Sequence, residues 1–279
     1  MMSAEERVKS GDLQGALAEL QARIRTQPAD PRLRVFLFQF LVLMGQWDRA
    51  LTQLKVAGEL DAANMAMVRT YQEAVRCEAV RAAIFRGEGT PMIFGQPAEW
   101  IALLVEALRL TAASQFDKAR TLREQALEQA PASAGSIDGH PFEWLADADS
   151  RLGPVLEAVV NGRYYWIPFG RIRAIKFEAP SDLRDLAWTA AQLTLSNGGE
   201  TVALIPTRYP GSEGASDPRL VMARATEWKE QPGDTYLGCG QRLFATNTGD
   251  YPLLDARLIE IQSVDDASPA EGGSDVSPG

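Results

Sequence analysis

Aspartate is the residue type through which this chain could most readily do chemistry. Asp147-Ala148-Asp149 lies between Glu143 and Arg151, and a second pair, Asp182 and Asp185, follows. Two carboxylates can act as acid and base when their surroundings push their pKa values apart. The acidic stretch from Asp138 to Asp149, with Asp182 and Asp185, therefore supports one reading as a carboxylate-based enzyme acting on a small molecule or peptide. The plainer reading is structural. If the segment is helical, Asp147 and Arg151 stand at i, i+4 and pair on one solvated face. Arg151, Arg184 and Arg242 could instead grip Asp147, Asp149 or Asp185 and fix packing, since a guanidinium presents a planar fork of donors.

Other catalytic constellations fail on counting or spacing. His140 is the single histidine, which excludes mechanisms needing two imidazoles and predicts a loop or cap role before Pro141. There is no G-x-S-x-G elbow. A calcium loop begun at Asp147 would place Arg151 and Leu152 where an oxygen ligand and a glycine are required. Cys77 and Cys239 are too few for a disulfide framework or a four-ligand zinc site. Gly238-Cys239-Gly240-Gln241-Arg242 lacks the spacing of a nucleotide loop and reads as a tight turn before a strand. No catalytic residue, cofactor or metal is expected.

The elements that must position these residues divide into two compositions. The 279 residues carry 28 basic and 37 acidic side chains, a net charge of −9. Residues 1–132 hold 16 of each sign, so the whole excess lies beyond them, together with 11 of the 16 prolines. An acidic chain argues against nucleic acid as a partner. The longest apolar run, Val35 to Met44, is broken by Gln39 and too short to cross a membrane. Met1 to Arg7 lacks the pattern of a signal peptide, so a cytoplasmic protein is expected.

Residues 1–133 read as a helical repeat domain. A shift of 34 superposes Gly11 on Gly45, Leu13 on Trp47, Ala16 on Ala50, Leu17 on Leu51 and Leu20 on Leu54, the tetratricopeptide period. Asp30 and Pro31 open a helix that Gly45 ends. A third copy stands at Phe116, Ala119, Ala126 and Pro131, with an irregular helix pair, Asn64 to Arg86 and Pro97 to Ala113, between. Stacked helical hairpins commonly receive a peptide or helix, although no residue of such a groove is fixed by this reasoning.

Residues 134–264 read as a mixed α+β domain rich in short antiparallel strands, giving an α+β two-domain chain. Phe142, Leu145, Leu152, Leu156 and Val159 recur at near-helical spacing and predict an opening helix, kinked or split at Pro154. Tyr164–Ile167, Ile172–Phe177, Gln192–Leu195, Thr201–Ile205, Gln241–Thr246 and Leu253–Gln262 predict strands. Ser196-Asn197-Gly198-Gly199 signals a hairpin. Residues 265–279 read as a disordered acidic tail holding Asp265, Asp266, Glu271 and Asp275.

Read in order, several C-terminal motifs carry a family resemblance. They are Phe142-Glu143-Trp144, Asp147-Ala148-Asp149-Ser150-Arg151-Leu152-Gly153-Pro154 and Gly162-Arg163-Tyr164-Tyr165-Trp166-Ile167-Pro168-Phe169. Asp182-Leu183-Arg184-Asp185-Leu186-Ala187-Trp188, Pro206-Thr207-Arg208-Tyr209-Pro210-Gly211-Ser212 and Gly240-Gln241-Arg242 complete the set. With the helical repeats, the chain from about residue 3 to 263 resembles the ImpE/SciE/TagJ family of type VI secretion accessory proteins. The resemblance implies a non-enzymatic cytoplasmic factor whose partner is an N-terminal helix of the small contractile-sheath subunit (TssB type), with the ClpV ATPase contacted through it. Trp144, Trp166 and Trp188 are expected as core or interface anchors, and the motif arginines as structural or recognition residues. A self-associating scaffold is the remaining alternative.

Overall fold

The computed structural model describes residues 2–262. The expected acidic tail, 265–279, lies outside the described residues.

Seven helices come first: α1 (Ala4–Ser10), α2 (Leu13–Thr26), α3 (Pro31–Leu43), α4 (Trp47–Leu60), α5 (Met65–Phe85), α6 (Glu99–Ala112) and α7 (Phe116–Gln129). Their starts are written locally. Ser3 and Glu6 form a capping box on α1, and the Asp30 carboxylate accepts the Arg32 amide ahead of Pro31. Ala16, Ala50 and Ala119 are buried at equivalent places in α2, α4 and α7, where a larger side chain would hold neighbouring helices apart. One pairing differs from expectation. α6 packs chiefly on α7 as the first helix of the third hairpin, and the 21-residue α5 packs on α4 and β6 more than on α6.

The strands are β1 (Met92–Ile93), β2 (Gly135–Ile137), β3 (His140–Phe142), β4 (Leu145–Asp147), β5 (Val155–Val160), β6 (Arg163–Pro168), β7 (Ile172–Phe177), β8 (Trp188–Leu195), β9 (Glu200–Pro206), β10 (Thr226–Gln231), β11 (Thr235–Gly240), β12 (Leu243–Thr246), β13 (Gly249–Pro252) and β14 (Leu258–Ile261). A short helix, α8 (Pro218–Val221), lies between β9 and β10. Nine strands form one sheet in the order β1-β6-β5-β9-β8-β7-β14-β2-β3. Every pairing in it is antiparallel except β1 on β6, contributed by the loop between α5 and α6. A three-stranded sheet, β13-β12-β4, and the β10–β11 ribbon complete the fold.

The helix expected across Phe142 to Val159 is absent; the segment is β3, β4 and β5 with their connections. All six residues of β5 are buried, because this central strand is covered on both faces. Val155 and Val159 join the core shared with the helices, and Leu156, Ala158 and Val160 join the core beneath the small sheet. Burial on both faces makes Val-Leu-Glu-Ala-Val-Val almost wholly apolar, and the spacing of Leu152, Leu156 and Val159 then imitates a helix. Local turns carry the true signal: Asp138-Gly139 and Asn161-Gly162 have positive φ at both residues and join β2–β3 and β5–β6 by two-residue hairpins. The predicted Asn-Gly hairpin between β8 and β9 forms as expected.

The sheet therefore lies between two apolar layers. On one face Tyr164, Trp166, Trp188 and Leu204 pack with Phe38, Tyr71 and Trp100 of the helices. On the other, Phe169 and Phe177 meet Phe244 of the small sheet at ring-centroid distances of 6.2 and 6.0 Å.

Candidate functional site

The period of two along β5 aims Glu157 at the helices, into the same core as Val155 and Val159. There it meets Arg81, which shares a buried stripe of α5 with Cys77 and Ile84. Arg81 Nε donates to Glu157 Oε1 at 2.7 Å and its Nη2 to Oε2 at 3.1 Å, a bidentate pair. The second oxygen also accepts from Arg242, whose other terminal nitrogen donates to Asp147 at the end of β4. Tyr164 of β6 donates its hydroxyl to Glu157 and accepts the Trp166 indole N–H at 2.9 Å. Arg242 Nε donates to the Pro206 carbonyl at 2.9 Å. Glu157 and Arg242 are 0 % exposed, so α5 and four strands or strand ends are joined by charges removed from water.

The network continues through the motif segment. Asp147 accepts the Asp149 amide, and Asp149 is gripped by Arg151 at 2.5 Å while accepting the Gly238 amide at 2.8 Å. The Arg151 guanidinium lies 5.0 Å from the Phe85 ring centre of α5. Glycine is required at 238 because a Cβ there would stand 2.3 Å from the Tyr209 ring, and at 240 because φ is +94°. These two glycines end strand β11, so the expected tight turn at Gly238 to Arg242 is instead strand followed by a β-bridge at Gln241. Gln241 donates to the Ala223 carbonyl and accepts the Leu254 amide, both at 2.9 Å.

The electrostatics split the two central carboxylates. Burial pushes against the Glu157 charge, but Arg81 and Arg242 overcome it and hold the carboxyl at about 2. Burial lifts Asp147 to about 6, with Arg242 only partly offsetting it. Burial also raises Tyr164 well above the ordinary phenol range, reinforced by the Glu157 charge, so Tyr164 remains a donor. Such a split resembles that of an acid and base pair. Here, however, each oxygen is engaged by arginine, tyrosine or a backbone amide.

The remaining motif residues serve the same junction. Trp188 lies 6.1 Å from Trp47 and 5.9 Å from Tyr71, centroid to centroid, and donates its indole N–H to Glu78 at 2.8 Å. Arg184 sits 4.9 Å over the Tyr71 ring and pairs with Asp182 at 2.5 Å. Asp185 accepts the Ser181 and Asp182 amides at 2.8 Å. Tyr209 is buried under Arg242, its ring centre 5.4 Å from the guanidinium carbon. The expected Asp147–Arg151 surface pair does not form, since the segment is not a helix; Asp147 pairs with Arg242 and Arg151 with Asp149. His140 lies exposed in β3 rather than in a loop.

Two participants escaped the sequence reading, Glu157 and Arg81, while Arg208 of the 206–212 motif is a structural arginine. Arg208 is buried, donating to the Leu43 and Val221 carbonyls at 2.8 and 2.5 Å, and burial lowers it to about 10. A charge inside an apolar stripe, as Arg81 is between Cys77 and Ile84, was the available signal.

Trp144 departs from the expectation of an anchor: it is 42 % exposed. It stands on the wall of a cleft of about 530 Å³ between α7, the connection 130–133 and the segment 144–154. Leu127 of α7, 47 % exposed, lines it too, as do Pro131, Ala146 and Pro154. Gly153, at φ +71°, keeps the backbone close to Leu127. Pro168 lines a smaller neighbouring cavity of about 160 Å³. Among the described residues no group of three His, Cys, Asp or Glu is placed to hold a metal ion, and no helix is long and apolar enough to cross a membrane.

Comparison with known proteins places this geometry in a lineage. The profile described as tetratricopeptide repeat matches residues 7–73, and that described as ImpE protein matches residues 139–260. A crystal structure of protein VPA1032 from Vibrio parahaemolyticus shares the fold, with a TM-score of 0.84 at 21 % identity over 93 % of this chain and 97 % of the other. The type VI secretion system accessory component TagJ of Pseudomonas aeruginosa is 53 % identical over 264 residues, covering 95 % of this chain and 92 % of the relative. The charged groups at the centre of the buried junction, all except Arg81 of α5, lie within the matched segment 139–260, and the chain belongs to the ImpE family of type VI secretion accessory proteins.

Proposed function

We propose that the protein is a non-enzymatic adaptor of a type VI secretion apparatus. It holds a helix of the small contractile-sheath subunit (TssB type) and thereby modulates sheath assembly or its ClpV-dependent disassembly. The observation carrying this reading is the 53 % identity, over 95 % of the chain, to a relative named as an accessory component of that system. The site chemistry is in keeping with it. Asp147, Asp149 and Asp182 are each engaged by an arginine, and Glu157 by two, an arrangement that stabilises a junction and leaves no open carboxylate pair at the motif.

The family motifs act, in this reading, as the framework that fixes the sheet against the helices. A pull-down of the purified protein with the small sheath subunit tests the proposal, run with and without that subunit's N-terminal helix. Capture of the intact subunit and loss of the truncated one is expected. Equal capture of both would sink helix recognition.

A further inference from the structure

We infer that the outer edge of β10 is a dimerisation surface, at which a second copy of this chain adds its own β10, antiparallel and centred on Trp228. The inference is independent of the adaptor reading, and either can fail without the other.

The β10–β11 ribbon has one closed edge and one open edge. Just before β10, the Ala225 carbonyl accepts the Gln241 amide at 2.9 Å, which fixes the direction of hydrogen bonding at that pair. Hydrogen bonding alternates along an antiparallel ladder, so Glu227, Lys229 and Gln231 also turn their backbone groups towards β11. Thr226, Trp228 and Glu230 turn theirs away. On β11 the corresponding outward groups are taken. Tyr236 accepts the Ser150 amide and donates its own to the Ser150 hydroxyl, Gly238 donates to Asp149, and Gly240 accepts the Tyr209 amide and donates to Ser212. On β10, no described strand pairs with the outward groups, and residues 227–230 are exposed. Such an edge is a template for another strand.

Charge decides which strand it is. Three registers bring the middles of two antiparallel β10 strands together with outward groups facing. Two of them set Glu227 against Glu227 or Lys229 against Lys229, at the non-hydrogen-bonded positions where side chains come closest. The third sets Trp228 against Trp228. Glu227 of each copy then meets Lys229 of the other, twice by symmetry, and Thr226 meets Glu230. This register pairs all three outward residues, whereas the others pair two. The strand is thus its own complement, as a two-fold interface requires. Its aromatic face adds area. Trp228 rests on Tyr209 at a centroid distance of 5.6 Å yet stays 38 % exposed, and Tyr236, on the same face of the ribbon, is 42 % exposed. Pairing sets the two Trp228 rings side by side and covers them.

Sedimentation velocity of the whole chain, over roughly 1 to 300 μM, reads this dimer directly, a range suited to a small interface. The wild type is expected to show a monomer–dimer equilibrium within it. E227K and K229E each convert both cross-strand pairs to like charges and should raise the dissociation constant about ten-fold or more. The double variant E227K/K229E exchanges the signs and should dimerise as the wild type does. An equal mixture of the two single variants should form a heterodimer that neither forms with itself. Thermal unfolding followed by circular dichroism checks that each variant is folded. A wild type that stays monomeric at every concentration overturns the proposal. So does a dimer that the single variants leave unchanged, or one that the double variant does not regain.

Discussion

The motif segment from Trp144 to Pro154 serves two adjoining regions in opposite ways. Inward, Asp147 and Asp149 enter a dry junction where Arg81, Arg151 and Arg242 neutralise carboxylates away from water. Outward, the same stretch gives Trp144, Ala146 and Pro154 to a cleft whose apolar groups remain exposed. The familiar arrangement, apolar inside and charged outside, is locally reversed. A buried ion network contributes little net stability compared with an apolar core, but removing one member leaves an uncompensated charge, so the junction enforces one relative placement of helices and sheet. The cleft makes no such demand on folding, since Trp144 and Leu127 remain exposed.

That contrast can be broken most directly at Arg242. Arg242→Met is expected to cost about 3–5 kcal/mol in urea unfolding, because Asp147 loses its partner and Glu157 keeps only Arg81. A loss below about 1 kcal/mol would show that the junction does not hold the two halves together. Acid comes next. Glu157, held at about 2 when folded against an ordinary 4.5, contributes stability above pH 4.5 that is lost as pH falls towards 2, on the order of 3 kcal/mol. Asp147, raised to about 6, has the opposite sign: the folded state gains its proton first, so this group adds stability as pH falls from about 6 to 4. Asp147→Asn should remove that rise and leave the acid loss below pH 4.5, read from unfolding midpoints across pH.

Smaller effects sharpen the picture. Tyr164→Phe deletes one hydrogen bond to Glu157 and leaves the Trp166 N–H without its acceptor, an expected cost of about 1–3 kcal/mol with the fold unchanged. Trp144→Ala should alter stability by no more than about 0.5 kcal/mol, since its side chain supports no core. A cost above about 2 kcal/mol there would mean that the cleft is part of the framework after all.

How legible all this was in the sequence depended on the range of the interaction. The helical hairpins were readable because a 34-residue shift superposes small residues on small and large on large, a pattern within one stretch of chain. The β8–β9 hairpin was readable from Asn197-Gly198, and Asp138-Gly139 and Asn161-Gly162 held the same information for β2–β3 and β5–β6. β5 was mistaken for helix because periodicity vanishes when both faces are buried. Asp149 with Arg151 could be guessed from proximity. Glu157 with Arg81 could not, because 76 residues separate them and only the packed sheet brings them together.

The occupation of the helical face by the chain's own sheet has a consequence for how the protein is made. During synthesis the seven helices leave the ribosome first and fold on local contacts, before β5, β8 and Arg208 exist to cover α3 and α5. For that interval Arg81 has no Glu157 to pair with and Tyr71 no Trp188 to pack on. Stalling or truncation near residue 133 would therefore leave a buried charge and its apolar surroundings uncovered, a species prone to aggregate until the sheet is complete.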